Sequence, residues 1–172
     1  MTVVSVYVLA ICCIILLCRR SLADLRSDVH LVPVPCEPTR DGTYSIKDSF
    51  CSSAIGRGRL SFMNIRIIPV TAYEQNCTLA CCESTGRAAV VDPGGDPEHI
   101  LEVARDAGVT LEKILVTHGH FDHVGAVSRM ASELGLPIEG PHPADRFLLD
   151  TVPQWCSQFG FPPGEAFLPD RW

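Results

Sequence analysis

The stretch Thr-His-Gly-His-Phe-Asp-His-Val-Gly, residues 117–125, decides the fold of this chain. It concentrates four potential metal ligands within positions 118–123: His118, His120, Asp122 and His123. A strand would place His123 on the face opposite the other three, and a helix would point His118 and His120 apart. The apolar run 114–116 comes directly before, so we predict a loop at the end of a buried strand. Such a loop can turn all four side chains inward, and imidazole nitrogens with carboxylate oxygens suit zinc or iron.

The pattern His-x-His-x-Asp-His resembles the metal-binding signature of the metallo-β-lactamase superfamily, and Thr117 and Gly125 extend the match. The resemblance implies two metal ions per complete site. His118 and His120 would help hold the first ion, and Asp122 and His123 the second. Zinc is the expected metal, with iron or manganese also possible. The alternative is a histidine-rich polar surface loop without a metal.

The order of motifs from Met63 onward resembles the compact glyoxalase II-like branch of that superfamily. The motifs are residues 67–70, residues 75–77, residues 91–95 and then the histidine loop. The resemblance implies hydrolysis of a glutathione thioester, such as lactoylglutathione, by a metal-bound hydroxide, with Asp122 orienting the water. It also implies that Asp92 braces the metal loop without binding the metal. A simple turn or capping role for Asp92 is the alternative.

The rest of the motif-bearing part predicts an α/β fold. Residues 64–70, 77–82 and 87–91 are apolar runs separated by turn residues, which indicates strands. Asp96 and Pro97 predict a capped helix start, and Gly108 its end, with an apolar face of Ile100, Val103, Ala104 and Ala107. A second helix has the face Val124, Val127, Ala131 and Leu134 and ends at Gly135, and residues 137–139 suggest a short strand. By resemblance, residues 63–172 are the first half of an αββα sandwich, a partial domain.

In the resembled family the second half of the domain supplies further histidine and aspartate ligands. The later candidates here stand outside the matching motifs: His142, Asp145, Asp150 and Asp170. A lone histidine in a proline-rich turn is usually structural, so His142 is not predicted as a ligand. We therefore expect a chain truncated after the first half. The alternative function is a non-catalytic fragment that only binds metal or is membrane-anchored.

Composition limits the possible partners. The net charge is −6, from 20 acidic and 14 basic side chains, which argues against nucleic acid and favours a small substrate. The nine cysteines form no Cys-x-x-Cys unit, and their odd number predicts reduced thiols in a reducing compartment. The oligomeric state is open.

The amino-terminal part differs from the rest. Residues 3–18 are apolar or small and precede Arg19 and Arg20, which is typical of a membrane-type segment, although the run is shorter than the about 20 residues of a spanning helix. If residues 1–20 are retained, the basic pair predicts anchoring with the following chain facing the cytoplasm. A weak signal peptide, or a leader absent from the working protein, is the alternative, and the protein is then cytoplasmic. Residues 21–62 are interpreted as a linker or leader.

Overall fold

The computed structural model describes residues 63–172, together with the backbone of two short strands, β1 (Glu37–Pro38) and β2 (Tyr44–Asp48). These two strands fall inside the stretch that was interpreted as a linker. The predicted membrane segment, residues 3–18, lies outside the described residues. Within the described part of the chain, no helix combines the length and apolar character that crossing a bilayer requires.

One sheet of seven strands organises the described part of the chain, with neighbours in sequence order. After β1 and β2 come β3 (Met63–Val70), β4 (Gln75–Cys82), β5 (Arg87–Val91), β6 (Thr110–Leu115) and β7 (Ile138–Glu139). The strands from β1 to β5 pair antiparallel, and β5, β6 and β7 pair parallel. The predicted strands are confirmed, with shifts of one or two residues at their ends.

Five helices follow or connect the parallel strands. They are α1 (Pro97–Asp106), α2 (Phe121–Val124), α3 (Val127–Leu134), α4 (Arg146–Asp150) and α5 (Val152–Gln158). A 3-10 turn, Pro143–Asp145, leads into α4. Parallel neighbours need a crossover connection, and α1 and α3 supply the two crossovers.

The predicted capping role of Asp96 is wrong, although its position at the start of α1 is right. Its side chain makes no cap hydrogen bond, and its backbone is left-handed with φ 48°. The carboxylate instead accepts a hydrogen bond from the backbone N–H of Thr71, at 2.6 Å, in the turn between β3 and β4. A long-range contact has therefore replaced the local cap.

The second predicted helix is interrupted. The chain forms α2, passes through Gly125 and Ala126, and begins α3 at Val127, so the apolar face shifts. Met130 is buried in the core, whereas Leu134, which was predicted on that face, is 40% exposed. Gly135 ends α3 in the left-handed conformation, as its sequence position predicted.

The main core lies between the sheet and the helices. Ile68, Leu79, Val90 and Ile114 come from the sheet, and Ile100, Val127, Met130 and Leu149 from the helices. Alternate strand residues form a smaller apolar cluster on the opposite face, made by Ala80, Ala89, Val91 and Leu115. The predicted α/β layering is confirmed, and it leaves the carboxyl ends of β5 and β6 open for the histidine loop.

Candidate metal centre

The histidine loop begins where the parallel strands β5 and β6 end. The backbone N–H of Asp92, the first residue after β5, donates to the carbonyl of Leu115 in β6 at 2.9 Å. Polar side chains that follow both strands therefore meet at one edge, where α/β sheets commonly bind ligands. The predicted loop holds for His118 and His120. Asp122 and His123 instead lie in the short helix α2.

Asp92 connects the two strand ends to α2. It is only 5% exposed. Its Oδ1 accepts from the backbone N–H of Thr117 at 2.8 Å, and its Oδ2 accepts from the Thr117 hydroxyl at 2.5 Å. The same Oδ2 lies 3.2 Å from Nδ1 of His123. Both carboxylate oxygens thus already accept hydrogen bonds from the loop and α2. Asp92 is therefore placed to hold these segments in position.

These contacts determine which ring nitrogen carries the hydrogen in His118 and His123. A threonine hydroxyl has one hydrogen, and Thr117 donates it to the Asp92 carboxylate. His118 Nδ1, 2.9 Å from the Thr117 oxygen, must then be the donor of that contact. Because His123 Nδ1 likewise donates to Asp92, both rings present Nε2 with a free lone pair.

The structure brings His118 and His123 together with Asp92, and this close group does not include His120 or Asp122. The ring centroids of His118 and His123 are 4.2 Å apart, and those of His118 and His120 are 4.7 Å apart. One donor atom from each of Asp92, His118 and His123 lies within 4.8 Å of the others, and Asp122 Oδ2 is 3.7 Å from His123 Nε2. Neutral imidazoles beside carboxylates suit a divalent transition metal, so the residues present fit such an ion.

His118 and His123 differ in their affinity for a proton. Burial and the neighbouring His123 lower the pKa of His118. Burial also opposes the charged form of His123, but its hydrogen bond to Asp92 and the charges of Asp92 and Asp122 outweigh burial and raise its pKa. A proton would therefore compete with a metal more strongly on His123 than on His118.

Two glycines let α2 approach the strand end. A Cβ on Gly94 would lie 1.7 Å from the backbone oxygen of Asp122, and a Cβ on Gly125 would lie 2.5 Å from the backbone oxygen of Gly94. Only glycine fits such close backbone contacts. Aromatic contacts also hold α2, since the Phe121 ring stacks on Phe159 and meets Phe161 edge-on, with ring centroids 5.1 Å and 5.0 Å apart.

The later polar residues take structural roles. His142 Nδ1 accepts from the backbone N–H of Ala144 at 3.2 Å, as expected of a turn histidine. Asp170 accepts from the backbone N–H of Ile138 at 2.8 Å. Asp145 was not predicted near the site, yet its Oδ2 accepts from the backbone N–H of Gly119 at 3.1 Å. Because the partners are 26 residues apart, no local pattern indicates this contact.

Four cysteines of the described residues are buried and outside any disulfide: Cys77, Cys81, Cys82 and Cys156. Burial raises the pKa of the Cys77, Cys81 and Cys156 thiols, which keeps them protonated and unreactive. The sequence-based expectation of reduced thiols in a reducing compartment stays a prediction.

Comparison with known sequences gives a consistent result. Residues 70–172 match the Metallo-beta-lactamase superfamily. The hydroxyacylglutathione hydrolase GloC of Haemophilus influenzae is 44% identical over 110 residues, which are 64% of this chain and 51% of that protein. The hydroxyacylglutathione hydrolase of Albidiferax ferrireducens is 38% identical over 77 residues, 45% of this chain and 29% of that protein.

Two solved structures share the fold. The crystal structure of TTHA1623 in a di-iron-bound form has a TM-score of 0.53 and 30% identity, covering 60% of this chain and 50% of that one. The BLEG-1 B3 metallo-beta-lactamase has a TM-score of 0.54 and 29% identity, covering 62% and 51%. The chain spans about half the length of GloC and of these two structures.

Proposed function

Because this chain belongs to the metallo-beta-lactamase superfamily, we propose that it is a metal-dependent hydrolase acting on a glutathione thioester of the hydroxyacyl type. The substrate class is supported by GloC, which is named for hydroxyacylglutathione hydrolysis and is 44% identical over 110 residues. The matched segment includes the histidine loop and the strand ends that carry it.

The proposed metal ligands divide into two pairs. His118 and His120, with rings 4.7 Å apart, contribute to the first site. Asp122 and His123, with Oδ2 and Nε2 3.7 Å apart, contribute to the second. Asp92 is assigned to bracing, because its oxygens already accept from Thr117 and His123. A carboxylate that braces a metal-binding histidine in this way orients the ring and raises its basicity.

We propose zinc or iron as the metal. Imidazole and carboxylate ligands accept either ion, with manganese as a third candidate. The di-iron form of TTHA1623 supports iron, and the Nε2-presenting imidazoles support zinc equally. When bound, the metal supplies Lewis acidity and an activated water for attack on the thioester carbonyl.

The protein's own residues orient that reaction. Asp122 is one-third exposed at its side chain, so its carboxylate can accept a hydrogen bond from an attacking water and take up its proton. His118 and His123 keep their Nδ1 protons directed at Thr117 and Asp92, which leaves the Nε2 lone pair of each ring available to bind the metal. The observation that carries the proposal is the convergence of His118 and His123 beside their brace Asp92 at one strand edge.

The test uses the full chain purified without chelators. Lactoylglutathione hydrolysis is measured before and after chelator dialysis, and again after Zn²⁺ or Fe²⁺ is returned. We expect hydrolysis to be lost and then restored. Asp122→Asn is expected to reduce the rate by about 100-fold, the usual contribution of an acid–base group. Asp106→Asn, on the exposed surface of α1, is the matched control.

A chromogenic β-lactam serves as the contrasting substrate, because one similar structure is a B3 metallo-beta-lactamase. Hydrolysis that survives complete metal removal contradicts the proposal, and so does an Asp122→Asn variant as active as the parent. Stoichiometric metal binding without hydrolysis of either compound supports the alternative function, a chain that only binds metal.

A further inference from the structure

The segment between β7 and α4 reaches back to the histidine loop. Its 3-10 turn ends at Asp145, whose backbone N–H donates to the carbonyl of His142 at 2.9 Å. Its side-chain Oδ2 accepts from the backbone N–H of Gly119 at 3.1 Å. Gly119 is buried and stands between His118 and His120, so Asp145 contacts the middle of the predicted ligand turn.

The carboxylate of Asp145 is not used by its own helix. Asp145 occupies the N-cap position of α4, where aspartate usually accepts from a backbone N–H of the first turn. Here it makes no side-chain cap hydrogen bond. The carboxylate that could cap α4 therefore accepts a hydrogen bond from Gly119 instead.

The turn is also packed against α4. A Cβ built on Gly119 would lie 2.9 Å from Cβ of Leu148 and 3.1 Å from the backbone oxygen of Asp145. Glycine is thus needed for the turn to come within hydrogen-bonding distance of Asp145. The hydrogen bond between Gly119 and Asp145 therefore requires both a glycine in the histidine loop and an aspartate at the start of α4.

Asp92 and Asp145 support different parts of the histidine loop. Asp92 holds the ends of the loop, at Thr117 and His123. Asp145 holds its middle, at Gly119. A hydrogen bond to a charged acceptor is roughly twice as strong as one between neutral groups, so a carboxylate is an effective restraint here.

We infer that Asp145 is a positioning residue of the metal centre, which holds the Gly119 amide so that the imidazoles of His118 and His120 keep the orientation needed to bind an ion. The inference rests on the proposed function of these two histidines as metal ligands. Asp145 itself is not assigned a contact with metal or substrate.

The experiment is a Co²⁺ titration of the full chain, read by visible absorption, on the parent and four variants. Asp145→Ala removes the acceptor, and Asp145→Asn keeps a neutral one. Gly119→Ala disturbs the same contact from the other side. Asp150→Asn, an exposed aspartate at the end of α4, is the control. Thermal unfolding and the Gly119 amide resonance are recorded on the metal-free proteins.

Asp145→Ala and Gly119→Ala are expected to weaken Co²⁺ binding by about 10-fold, the lower end for a residue that orients a metal ligand. Their Co²⁺ spectra should change shape, which a loss of stability alone would not cause. Asp145→Asn should recover most of the affinity and shift the Gly119 amide resonance less, and Asp150→Asn should match the parent.

Unchanged affinity and spectrum in folded Asp145→Ala would overturn the inference while leaving the proposed function intact. If Asp145→Ala does not fold, the folded Asp145→Asn and its Gly119 resonance decide: a resonance identical to the parent's in a weakened Co²⁺ site would refute positioning through this bond. A parent that binds no Co²⁺ would remove the proposed function and this inference together.

Discussion

Oδ2 of Asp92 lies 3.2 Å from Nδ1 of His123, and this contact joins the end of β5 to the helix that follows the histidine loop. It has two chemical effects. It fixes the ring with Nε2 3.7 Å from Oδ2 of Asp122, and it raises the pKa of His123 against the opposing effect of burial. The same contact therefore both orients the ring and makes protons compete more strongly with a metal.

The first prediction concerns Asp92→Asn. An amide retains one acceptor oxygen but cannot satisfy Thr117 and His123 together. We expect metal affinity, measured by competition with a coloured chelator, to fall by about 10- to 100-fold. The pKa of His123, followed by imidazole NMR on metal-free protein, should fall because its raising partner is lost.

Asp106→Asn on the exposed surface of α1 controls for the loss of one negative charge. An Asp92→Asn protein with the parent's metal affinity would show that the brace is dispensable. An unchanged His123 titration would show that another group holds its proton.

The second prediction concerns the Thr117 hydroxyl. Thr117→Val keeps the side-chain shape and the backbone N–H bond to Asp92, but it removes the acceptor for the His118 Nδ1 proton. We expect His118 to become a mixture of tautomers, measured by its ring nitrogen shifts, with metal binding weakened by about 10-fold. Thr117→Ser, which keeps the hydroxyl, should behave as the parent. If the valine variant keeps a single His118 tautomer, the Thr117 hydroxyl does not determine which nitrogen of His118 carries the proton.

Much of the fold could be predicted because its signals are local. The runs 64–70, 77–82 and 87–91 carry their strand pattern in their own composition, and the structure forms β3, β4 and β5 there. Gly108 and Gly135 mark helix ends through their left-handed backbones. The histidine spacing predicted a loop at a strand end, and His118 and His120 lie in one.

The remainder depended on contacts between distant residues. The carboxylate of Asp96 accepts from Thr71, 25 residues away, so a local capping rule failed. Asp145 reaches Gly119 across 26 residues, and the packing of the turn against Leu148 decides that contact. The break between α2 and α3 follows from the close approach of Gly125 to Gly94, which no periodicity shows.

The third prediction concerns alkaline pH. Burial makes the thiolate of Cys81 unfavourable and raises its pKa from 9.0 to about 11. Between these values the folded state keeps a proton that the unfolded state loses. The contribution of Cys81 to stability is therefore full below pH 9.0 and disappears as the pH rises toward about 11.

Urea unfolding at both ends of this range measures the effect. The free energy of unfolding of the parent should fall more steeply with pH than that of Cys81→Ala. A residual slope remains in the variant, because burial also raises the pKa of Cys77. Equal slopes in the two proteins would mean that Cys81 ionises in the folded state as easily as in the unfolded state.

The last prediction compares two glycines. At Gly94 an added Cβ would lie 1.7 Å from the backbone oxygen of Asp122, whereas at Gly86, with φ 67°, it would meet nothing within 4 Å. Gly86→Ala should cost only left-handed backbone strain, about 1–2 kcal/mol. Gly94→Ala should exceed the about 1–3 kcal/mol typical of overpacking, because the atom it displaces is backbone.

The two variants also separate stability from site geometry. Gly94→Ala must move α2 away from the strand end, so its Co²⁺ spectrum should change even under conditions where it remains folded. Gly86→Ala lies in the turn before β5 and should keep the parent's spectrum despite its lower melting temperature. If both variants lose equal stability and both keep the spectrum, the close contact between Gly94 and Asp122 does not set the position of α2.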